Sequence, residues 1–198
     1  MRTLAILPVK RFDRAKQRLR QGVAEDQVSE LVKTMFDEVL QALRRSSELD
    51  QIVVVTSEPS ARLIAREHEA AVIDDDEQGH NAAVKRGIAH ALATGADRAL
   101  LVPGDCPLLD PDELDDLISF PVRPPSALVV PDRHGTGTNG LLLTPPDAIE
   151  PSFGPDSCPR HLRIAKAASV RGEVVNVPSL ALDIDTPDDL AALTRTQC

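Results

Sequence analysis

The sequence predicts an α/β fold, a single domain in which helices cover both faces of a mostly parallel sheet. Short apolar runs rich in strand-forming residues alternate with segments whose apolar residues recur at helical spacing, an alternation typical of β-α-β units. The chain has 198 residues, the length of one ordinary domain. Its composition, 42% hydrophobic and 27% charged, is that of a folded globular protein rather than a disordered chain.

The first half of the chain carries the regular part of this pattern. A strand is predicted over residues 3–9, and a basic loop over 10–20 follows it directly. Apolar residues recur at helical spacing from Val28 to Leu43, which predicts a long amphipathic helix. The next predicted elements, in chain order, are a strand over 51–57, a helix over 59–65, a strand over 70–74, a helix over 81–93, a strand over 98–103 and a helix from Pro111 that Asp110 caps, with Glu113 at its third position.

The second half breaks this rhythm, because residues 121–159 hold nine of the sixteen prolines. Strands are predicted inside this segment over 127–131 and 140–144. We expect the segment to form a small Pro-rich lobe beside the carboxyl edge of the sheet, on the substrate side, within one domain that spans 1–198. The remaining predicted elements are a helix capped by Ser157 that runs to Ala168, a strand over 173–178 and a final helix that Thr186 and Pro187 open.

The charge of the chain is unevenly distributed. Its net charge of −9 argues against a general affinity for nucleic acid. Residues 10–20 nevertheless carry six basic side chains against one acidic side chain. A basic loop on an acidic body suits a small polyanion that is held at one place, although most charge runs are only solvated surface.

The sequence also predicts a cytoplasmic protein without a membrane partner. The apolar stretch at the amino terminus is too short for a signal peptide, and no stretch approaches the length of a membrane-spanning helix. The three cysteines form neither a C-x-x-C motif nor an even set, which is typical of a reducing compartment. The oligomeric state is left open, with a homodimer as one alternative.

Three acidic residues are predicted at the edge of the sheet where ligands bind. In an open parallel sheet this edge lies beyond the carboxyl ends of the strands, and it collects the basic loop, Asp105 and the segment 180–190. Asp183 and Asp185 are two residues apart in a predicted extended stretch, so both side chains leave one face. Such a pair repels unless a cation lies between the carboxylates. Mg²⁺ suits this position, because it typically takes one or two protein carboxylates plus substrate phosphates.

Simpler structural interpretations stay open at this point. Asp105 could cap a surface turn, because proline and glycine flank it. Asp183 and Asp185 could belong to a turn that caps the final helix. That interpretation does not explain why an aspartate stands at position 183. Cys158 and His161 could share a metal ion, although the sequence offers no second pair to complete such a site.

Absent and partial motifs narrow the reaction class. The chain has no G-x-G-x-x-G after a strand, which argues against a dinucleotide-dependent dehydrogenase, and no G-x-x-x-x-G-K-[ST], which excludes a P-loop enzyme. The sequence DIDT at 183–186 is similar to the nucleophile motif of haloacid dehalogenase-type phosphatases. That motif should follow an early strand, whereas only 13 residues follow Asp185 here.

Six motifs occur in the order found in one enzyme family: LPVKRFDRAKQRL, QGHNAAV, VPGDCPLL, RHGTGTNGLLL, FGPDSCPRH and DIDTPDDL. The sequence therefore resembles the 2-phospho-L-lactate or phosphoenolpyruvate guanylyltransferases of coenzyme F-420 biosynthesis, from residue 4 to about residue 190. The resemblance implies a Rossmann-like nucleotidyltransferase fold of the glycosyltransferase-A type, similar to that of nucleotide-diphospho-sugar transferases. It also implies transfer of GMP from GTP to a small phosphorylated carboxylic acid, with release of pyrophosphate.

The resemblance implies roles for individual residues. Three carboxylates would bind Mg²⁺: Asp105, Asp183 and Asp185. Three basic residues would lie along the GTP phosphates: Lys10, Lys16 and Arg18. Lys10 and Lys16 would also share a catalytic role with Asp105. Four residues would shape the nucleotide pocket: Pro8, Gly79, Asn81 and Pro103. Three residues would contact the phosphorylated acid: Thr138, Gly154 and Ser157.

Some details depart from the family pattern or stay open. His80 stands where the family has Leu, and Gln17 stands where it has Ser. Ser157 could be a helix cap alone, although a helix amino end is itself favourable to anions. The acceptor is left open among phosphoenolpyruvate, 2-phospho-L-lactate and 3-phospho-D-glycerate. The alternatives are nucleotidyl transfer to a molybdopterin or a sugar phosphate, which usually requires a Gly-rich loop after the first strand, and a non-catalytic nucleotide-binding protein.

Overall fold

The computed structural model describes residues 1–12, 16, 19, 24–186, 188 and 189. Seven strands form one sheet, in the order β3-β2-β1-β4-β6-β5-β7. Their bounds are Thr3–Val9 (β1), Gln51–Thr56 (β2), Ala71–Ile73 (β3), Arg98–Leu101 (β4), Ser126–Pro131 (β5), Thr138–Thr144 (β6) and Arg171–Val174 (β7). The helices are Glu25–Arg45 (α1), Pro59–Glu67 (α2), His80–Ala93 (α3), Pro111–Ile118 (α4) and Ser157–Ala167 (α5), with a short 3-10 helix at Pro178–Leu180.

Helices cover both faces of the sheet, as the sequence predicts. Apolar residues of α1, α2 and α4 form one buried cluster with alternate residues of the strands. Those of α3 and α5 form a second cluster on the opposite face. Strand β1 shows the division, because Ala5 and Leu7 belong to the first cluster and Leu4 and Ile6 to the second. A continuous apolar run is required here, since successive side chains of a strand point to opposite faces.

Helix α3 lies unusually close to β1. A Cβ atom built on Gly87 would lie 2.3 Å from Cγ2 of Ile6, so only glycine fits at this helix position without displacing the strand. The close approach fixes the start of α3 above the end of β1. No helix within the described ranges is long and apolar enough to cross a membrane.

The second half of the sheet corrects one prediction. Strands β1 to β4 are mutually parallel where they pair, but β6 runs antiparallel to both β4 and β5. The expected lobe over 121–159 is therefore wrong in its position, because its two strands continue the sheet instead of standing beside it. The physical reason is burial: the apolar residues of β5 and β6 are covered on both faces, so these strands occupy the interior of the sheet. The assignment of residues 1–198 to one domain stays a prediction.

Several local predictions also need adjustment. Asp110 does cap α4, accepting from the backbone N–H groups of Asp112 and Glu113. The carboxylate of Glu113, however, accepts from the N–H of Ser179 at 2.8 Å and so joins α4 to a distant segment.

Two elements begin or end differently from the sequence prediction. Ser157 is the first residue of α5 rather than its cap, and the preceding Asp156 has a left-handed backbone conformation with φ of 55°. The strand predicted over 173–178 is β7, which ends at Val174. Most of the predicted final helix lies outside the described residues.

Candidate active site

A cleft of about 240 Å³ opens at the carboxyl edge of β1 and β4. These two strands are parallel neighbours, so the loops that leave their carboxyl ends face each other. Pro8, Val9 and Lys10 line the cleft from β1, and Pro103 and Asp105 line it from the segment after β4. Lys16, His80 and Asp185 complete its polar wall.

Two smaller compartments adjoin this cleft and share Pro8 and His80 with it. One of about 130 Å³ lies towards β2 and β3, and its walls include Ser57, Asp75 and Gly79. The other lies towards β6 and is lined by residues that include Thr138 and Phe153. The three compartments therefore follow the order of the strands along one edge of the sheet.

A buried ammonium group cross-links the acidic residues of the central cleft. Nζ of Lys16 lies 2.5 Å from Oδ1 of Asp185 and contacts Oδ2 of Asp105 as well. The lysine side chain is only 6% exposed. Burial alone would lower the pKa of Lys16, but the negative charges of Asp105 and Asp185 outweigh it and the pKa lies above its ordinary value. Lys16 thus stays charged, although its left-handed backbone conformation, with φ of 55°, is unfavourable for a residue other than glycine.

Asp183 completes the acidic cluster. Its Oδ1 accepts from the Asn139 side-chain amide at 3.1 Å, and the same amide nitrogen donates to the carbonyl of Leu180. Burial and the neighbouring charges of Asp105 and Asp185 raise the pKa of Asp183. The structure therefore brings the three predicted carboxylates together. The segment that carries Asp183 and Asp185 is irregular rather than extended in a strand, which corrects the sequence interpretation.

The acidic cluster has some features of a magnesium site and lacks another. Among the described residues, no group of three or more His, Cys, Asp or Glu side chains is placed to hold a metal ion together. Two observations nevertheless fit a cation. Oδ1 of Asp105 is buried and has no hydrogen-bond partner in the described part of the chain. The donors near Lys16 are carboxylate oxygens, the ligands that Mg²⁺ prefers, and a positive charge already lies between two of them.

Comparison with known proteins decides the family. The model of the family described as "Guanylyl transferase CofC like" matches residues 3–195, nearly the whole chain. The chain belongs to this family. Two relatives of the CofC-like family illustrate its range. A phosphoenolpyruvate guanylyltransferase from Conexibacter woesei is 50% identical over 98% of this chain and 87% of its own length. A 3-phospho-D-glycerate guanylyltransferase from Colwellia psychrerythraea is 34% identical over 98% of this chain and 91% of its own length.

Solved structures show the same architecture beyond the CofC-like family. A 4-diphosphocytidyl-2C-methyl-D-erythritol synthase superposes with a TM-score of 0.72 at 15% identity, covering 100% of this chain and 98% of that chain. At that identity the likeness shows the fold alone. It confirms the predicted nucleotidyltransferase-like α/β architecture.

The residues predicted for the nucleotide lie on two sides of His80 in this CofC-like chain. Pro8 and Lys10 line both the central cleft and the compartment towards β3, Gly79 lines the compartment towards β3, and Pro103 lines the central cleft. Asn81 has a different contact, because its side-chain amide oxygen and nitrogen are both bonded to the backbone of Phe153, at 2.8 and 3.2 Å. Arg18 lies outside the described residues.

The residues predicted for the acid lie around the start of β6 and the amino end of α5. Thr138 lines the compartment towards β6 because β6 is antiparallel to β4, which brings the beginning of β6 to the carboxyl edge of its neighbour. Gly154 has a φ of 126°, which favours glycine, and its carbonyl accepts from the N–H of Ser157 at 3.1 Å. Ser157 itself is buried.

Two histidines shape the site in ways that sequence reasoning did not predict. His80 borders all three compartments, and burial together with the charge of Lys10 lowers its pKa. His161 is fully buried and uses both ring nitrogens in hydrogen bonds, to Thr138 and to Ser152. No ring nitrogen of His161 is left for a metal ion shared with Cys158, which corrects that interpretation. The positions of His80 and His161 in the sequence do not predict that one borders the three compartments or that the other bonds to Thr138 and Ser152.

Proposed function

We propose that this protein is a guanylyltransferase that transfers GMP from GTP to a phosphorylated three-carbon acid and releases pyrophosphate. The observation that carries the proposal is the buried Lys16 ammonium between Asp105 and Asp185 at the carboxyl edge of β1 and β4. Such a grouping of cation and carboxylates suits a triphosphate that binds with a metal ion. Membership of the CofC-like family supports the same reaction.

The three compartments suggest a division of the substrates. The central cleft, with Lys10 and Lys16, would hold the phosphates, because the buried Lys16 ammonium and the Asp105 and Asp185 carboxylates lie there. The compartment towards β3 would hold the guanine base. Guanine presents a ring N–H and an exocyclic amino group as adjacent donors, and the carboxylates of Asp75 and Glu77 in this wall are acceptors. The compartment with Thr138 would then receive the phosphorylated acid.

The reaction requires no general base from the protein. A phosphate monoester has a second pKa near 6, so at neutral pH the attacking oxygen of the acid is already ionised. That oxygen attacks the α-phosphorus of GTP in line, the bond to the β-phosphate breaks, and pyrophosphate leaves. The barrier is repulsion between two polyanions, which Lys10 and Lys16 lower by placing positive charge beside both.

We propose that the acidic cluster binds Mg²⁺ together with the phosphates of GTP, with Asp105, Asp183 and Asp185 as the protein ligands, since among the described residues these side chains do not form a metal site by themselves. When bound, magnesium neutralises phosphate charge and polarises the phosphoryl oxygens. The chain's own contribution is to hold the three carboxylates at one edge of the sheet. Asn139 orients Asp183, and Lys16 holds Asp105 and Asp185 near each other.

Phosphoenolpyruvate is the first acceptor to test, because it is the substrate in the name of the relative from Conexibacter woesei. The second is 3-phospho-D-glycerate, which the Colwellia psychrerythraea relative is named for. These acids and 2-phospho-L-lactate differ by a double bond or the placement of a hydroxyl group, which a few pocket contacts can distinguish. A place in coenzyme F-420 biosynthesis, a cytoplasmic location and a homodimer stay predictions from the sequence.

The proposal is tested by a product assay on the purified chain. GTP and Mg²⁺ are incubated with each of the three acids in turn, and the guanylylated acid and pyrophosphate are measured by mass spectrometry. ATP and CTP serve as nucleotide controls. We expect a product of mass GMP plus acid with GTP and at least one acid. Absence of that product with all three acids, in a folded preparation, overturns the proposal.

A further inference from the structure

We infer that His161 is a positioning residue that makes the Thr138 hydroxyl a fixed hydrogen-bond donor towards the acid substrate. The inference deepens the proposed function and rests on it, because it names how one end of the acid is recognised. It depends on three contacts: His161 with Ser152, His161 with Thr138, and Thr138 with the compartment towards β6.

The contact with Ser152 determines which ring nitrogen of His161 carries the proton. The backbone N–H of Ser152 lies 2.9 Å from Nε2 of His161. A backbone N–H can only donate, so Nε2 must accept and is unprotonated. A neutral imidazole carries one N–H, and it is therefore at Nδ1.

The ring is neutral at physiological pH. His161 is fully buried at the start of α5. Burial and the neighbouring guanidinium of Arg160 lower the pKa of His161 to about 4. The tautomer with the proton at Nδ1 is thus the form that persists near neutrality.

This tautomer determines how the Thr138 hydroxyl can bond. Nδ1 of His161 lies 3.0 Å from Oγ1 of Thr138, so the ring donates and the hydroxyl oxygen accepts. The hydroxyl proton cannot point back to the ring. Among the described residues, Oγ1 has no other hydrogen-bond partner. Its proton is free to donate into the compartment that Thr138 lines with Pro8, His80 and Phe153.

The segment that holds His161 is itself fixed from the nucleotide side. Phe153 follows Ser152, and its backbone N–H and carbonyl both bond to the side chain of Asn81 at the start of α3. The Phe153 ring packs edge-on against His80 and His161, with centroid distances of 5.1 Å to each. A chain of contacts therefore runs from the start of α3 to the Thr138 hydroxyl, and it holds the His161 ring in place beside that hydroxyl.

A hydroxyl whose proton is kept available favours ligand atoms that accept hydrogen bonds. Carboxylate and phosphate oxygens accept hydrogen bonds and carry the negative charge that strengthens such bonds. Thr138 would therefore bind an anionic oxygen of the phosphorylated acid. Within the described ranges, the hydrogen bonds and ring contact of His161 go to Thr138, Ser152 and Phe153, none of which lines the compartment towards β3.

The test uses two substitutions that separate the ring nitrogens. The side chain of His161→Asn places its amide near the position of Nδ1, whereas that of His161→Gln reaches the position of Nε2. Both are combined with Thr138→Val, which keeps the shape of threonine and removes its hydroxyl. Lys166→Gln, on the exposed side of α5, is the matched control. KM for the acid, KM for GTP and kcat are measured for each variant, with Tm as a check on folding.

We expect His161→Gln to raise KM for the acid about tenfold, the scale of one lost hydrogen bond to a charged group. KM for GTP should change less than about twofold, and His161→Asn should lie nearer the unsubstituted protein. In the Thr138→Val background, His161→Gln should add less than about twofold, because the hydroxyl it positions is gone. Equal effects of His161→Gln with and without the hydroxyl would overturn the inference.

A direct measurement keeps the inference testable without activity. ¹⁵N NMR of labelled histidine should show His161 with a protonated Nδ1 and a bare Nε2 at pH 7. The opposite tautomer overturns the inference even if the enzyme is active. A second outcome is possible, in which His161 shows the expected tautomer but the protein makes no product with any acid. That outcome would overturn the proposed function, and Thr138 would then have no role in substrate binding.

Discussion

The backbone N–H of Ile184 donates to the carbonyl oxygen of Asp105 at 3.2 Å. Ile184 is fully buried between two of the carboxylates that approach Asp105. The loop after β4 and the segment 183–185 are therefore held together by backbone and by packing, independently of the charges in the cleft. This makes it possible to remove a single charge from the cluster and expect the fold to persist.

Asp105→Asn should leave the fold intact and lower kcat by at least about a hundredfold. The substitution keeps the shape of the side chain and removes one of the charges that face Lys16, and losing one preorganised electrostatic group costs about that much. Product formation is measured with Tm as the folding check. Asp116→Asn, at an exposed position of α4, is the control. Near-normal turnover of Asp105→Asn would contradict the role of this carboxylate.

Removal of divalent metal should abolish turnover, and added Mg²⁺ should restore it. Burial and the charges of Asp105 and Asp185 raise the pKa of Asp183, so a cation beside this carboxylate would be favourable. Asp183→Asn should raise the Mg²⁺ concentration for half-maximal activity by at least about tenfold. The measurement is a magnesium titration of activity after treatment with a chelator. Full activity in the presence of excess chelator would exclude a metal-dependent reaction.

Asp75→Asn should weaken the binding of GTP and leave the binding of the acid nearly unchanged. The carboxylate lines the compartment towards β3, and replacement by an amide removes an acceptor for the guanine donors. A good bidentate contact to a base discriminates by about 1–3 kcal/mol, so KM for GTP should rise about tenfold while KM for the acid stays within about twofold. Asp74→Asn is the control, because Asp74 is exposed and pairs with Arg62. A change in KM for the acid alone would place the base elsewhere.

Gly87→Ala should destabilise the fold although alanine favours helices. Helix propensity gains about 1 kcal/mol, but the new methyl group would overlap Cγ2 of Ile6 at 2.3 Å. Overpacking of this kind costs about 1–3 kcal/mol, which outweighs the gain, so we expect the free energy of unfolding to fall by up to about 2 kcal/mol. Chemical denaturation measures it. In an Ile6→Ala background, which lacks that methyl group, Gly87→Ala should cost less, and an equal cost would refute the explanation.

The buried His161 should make stability depend on pH. Its pKa is about 4 in the folded protein, against about 6.5 for an unfolded chain. Between these values the unfolded chain binds more protons, so this contribution is fully present above about pH 6.5 and is lost as pH falls towards 4. His161→Asn cannot be protonated there. The free energy of unfolding of this variant should therefore fall less between pH 7 and pH 5, and identical slopes would contradict the assignment.

Much of the fold follows from local sequence, and less of the site does. The continuous apolar runs of β1 and β2 and the helical spacing of α1 predicted those elements with nearly their observed bounds. The same runs say only that β6 is buried, since an apolar strand gives no sign of its direction. Because β6 runs antiparallel to β4, Thr138 lies beside the compartment towards β6. The spacing of residues in the sequence does not predict this position.

The acidic cluster was predictable because one rule places ligands at the carboxyl edge of a sheet. The hydrogen bonds of His161 were not, because they join Thr138, Ser152 and α5 through tertiary packing. Ser157 shows the limit at element ends, where a one-residue shift turned an expected cap into a buried first helical residue.

The reversed direction of β6 brings a later part of the chain to the proposed acid site. Lys10, Lys16, Gly79 and Asp105 all precede the antiparallel pair, whereas Thr138 and the helix that supports it come after β5. Under the proposed function, changes confined to the start of β6 and to α5 can therefore retune the choice of small acid without altering those earlier residues or Asp183 and Asp185 further along the chain.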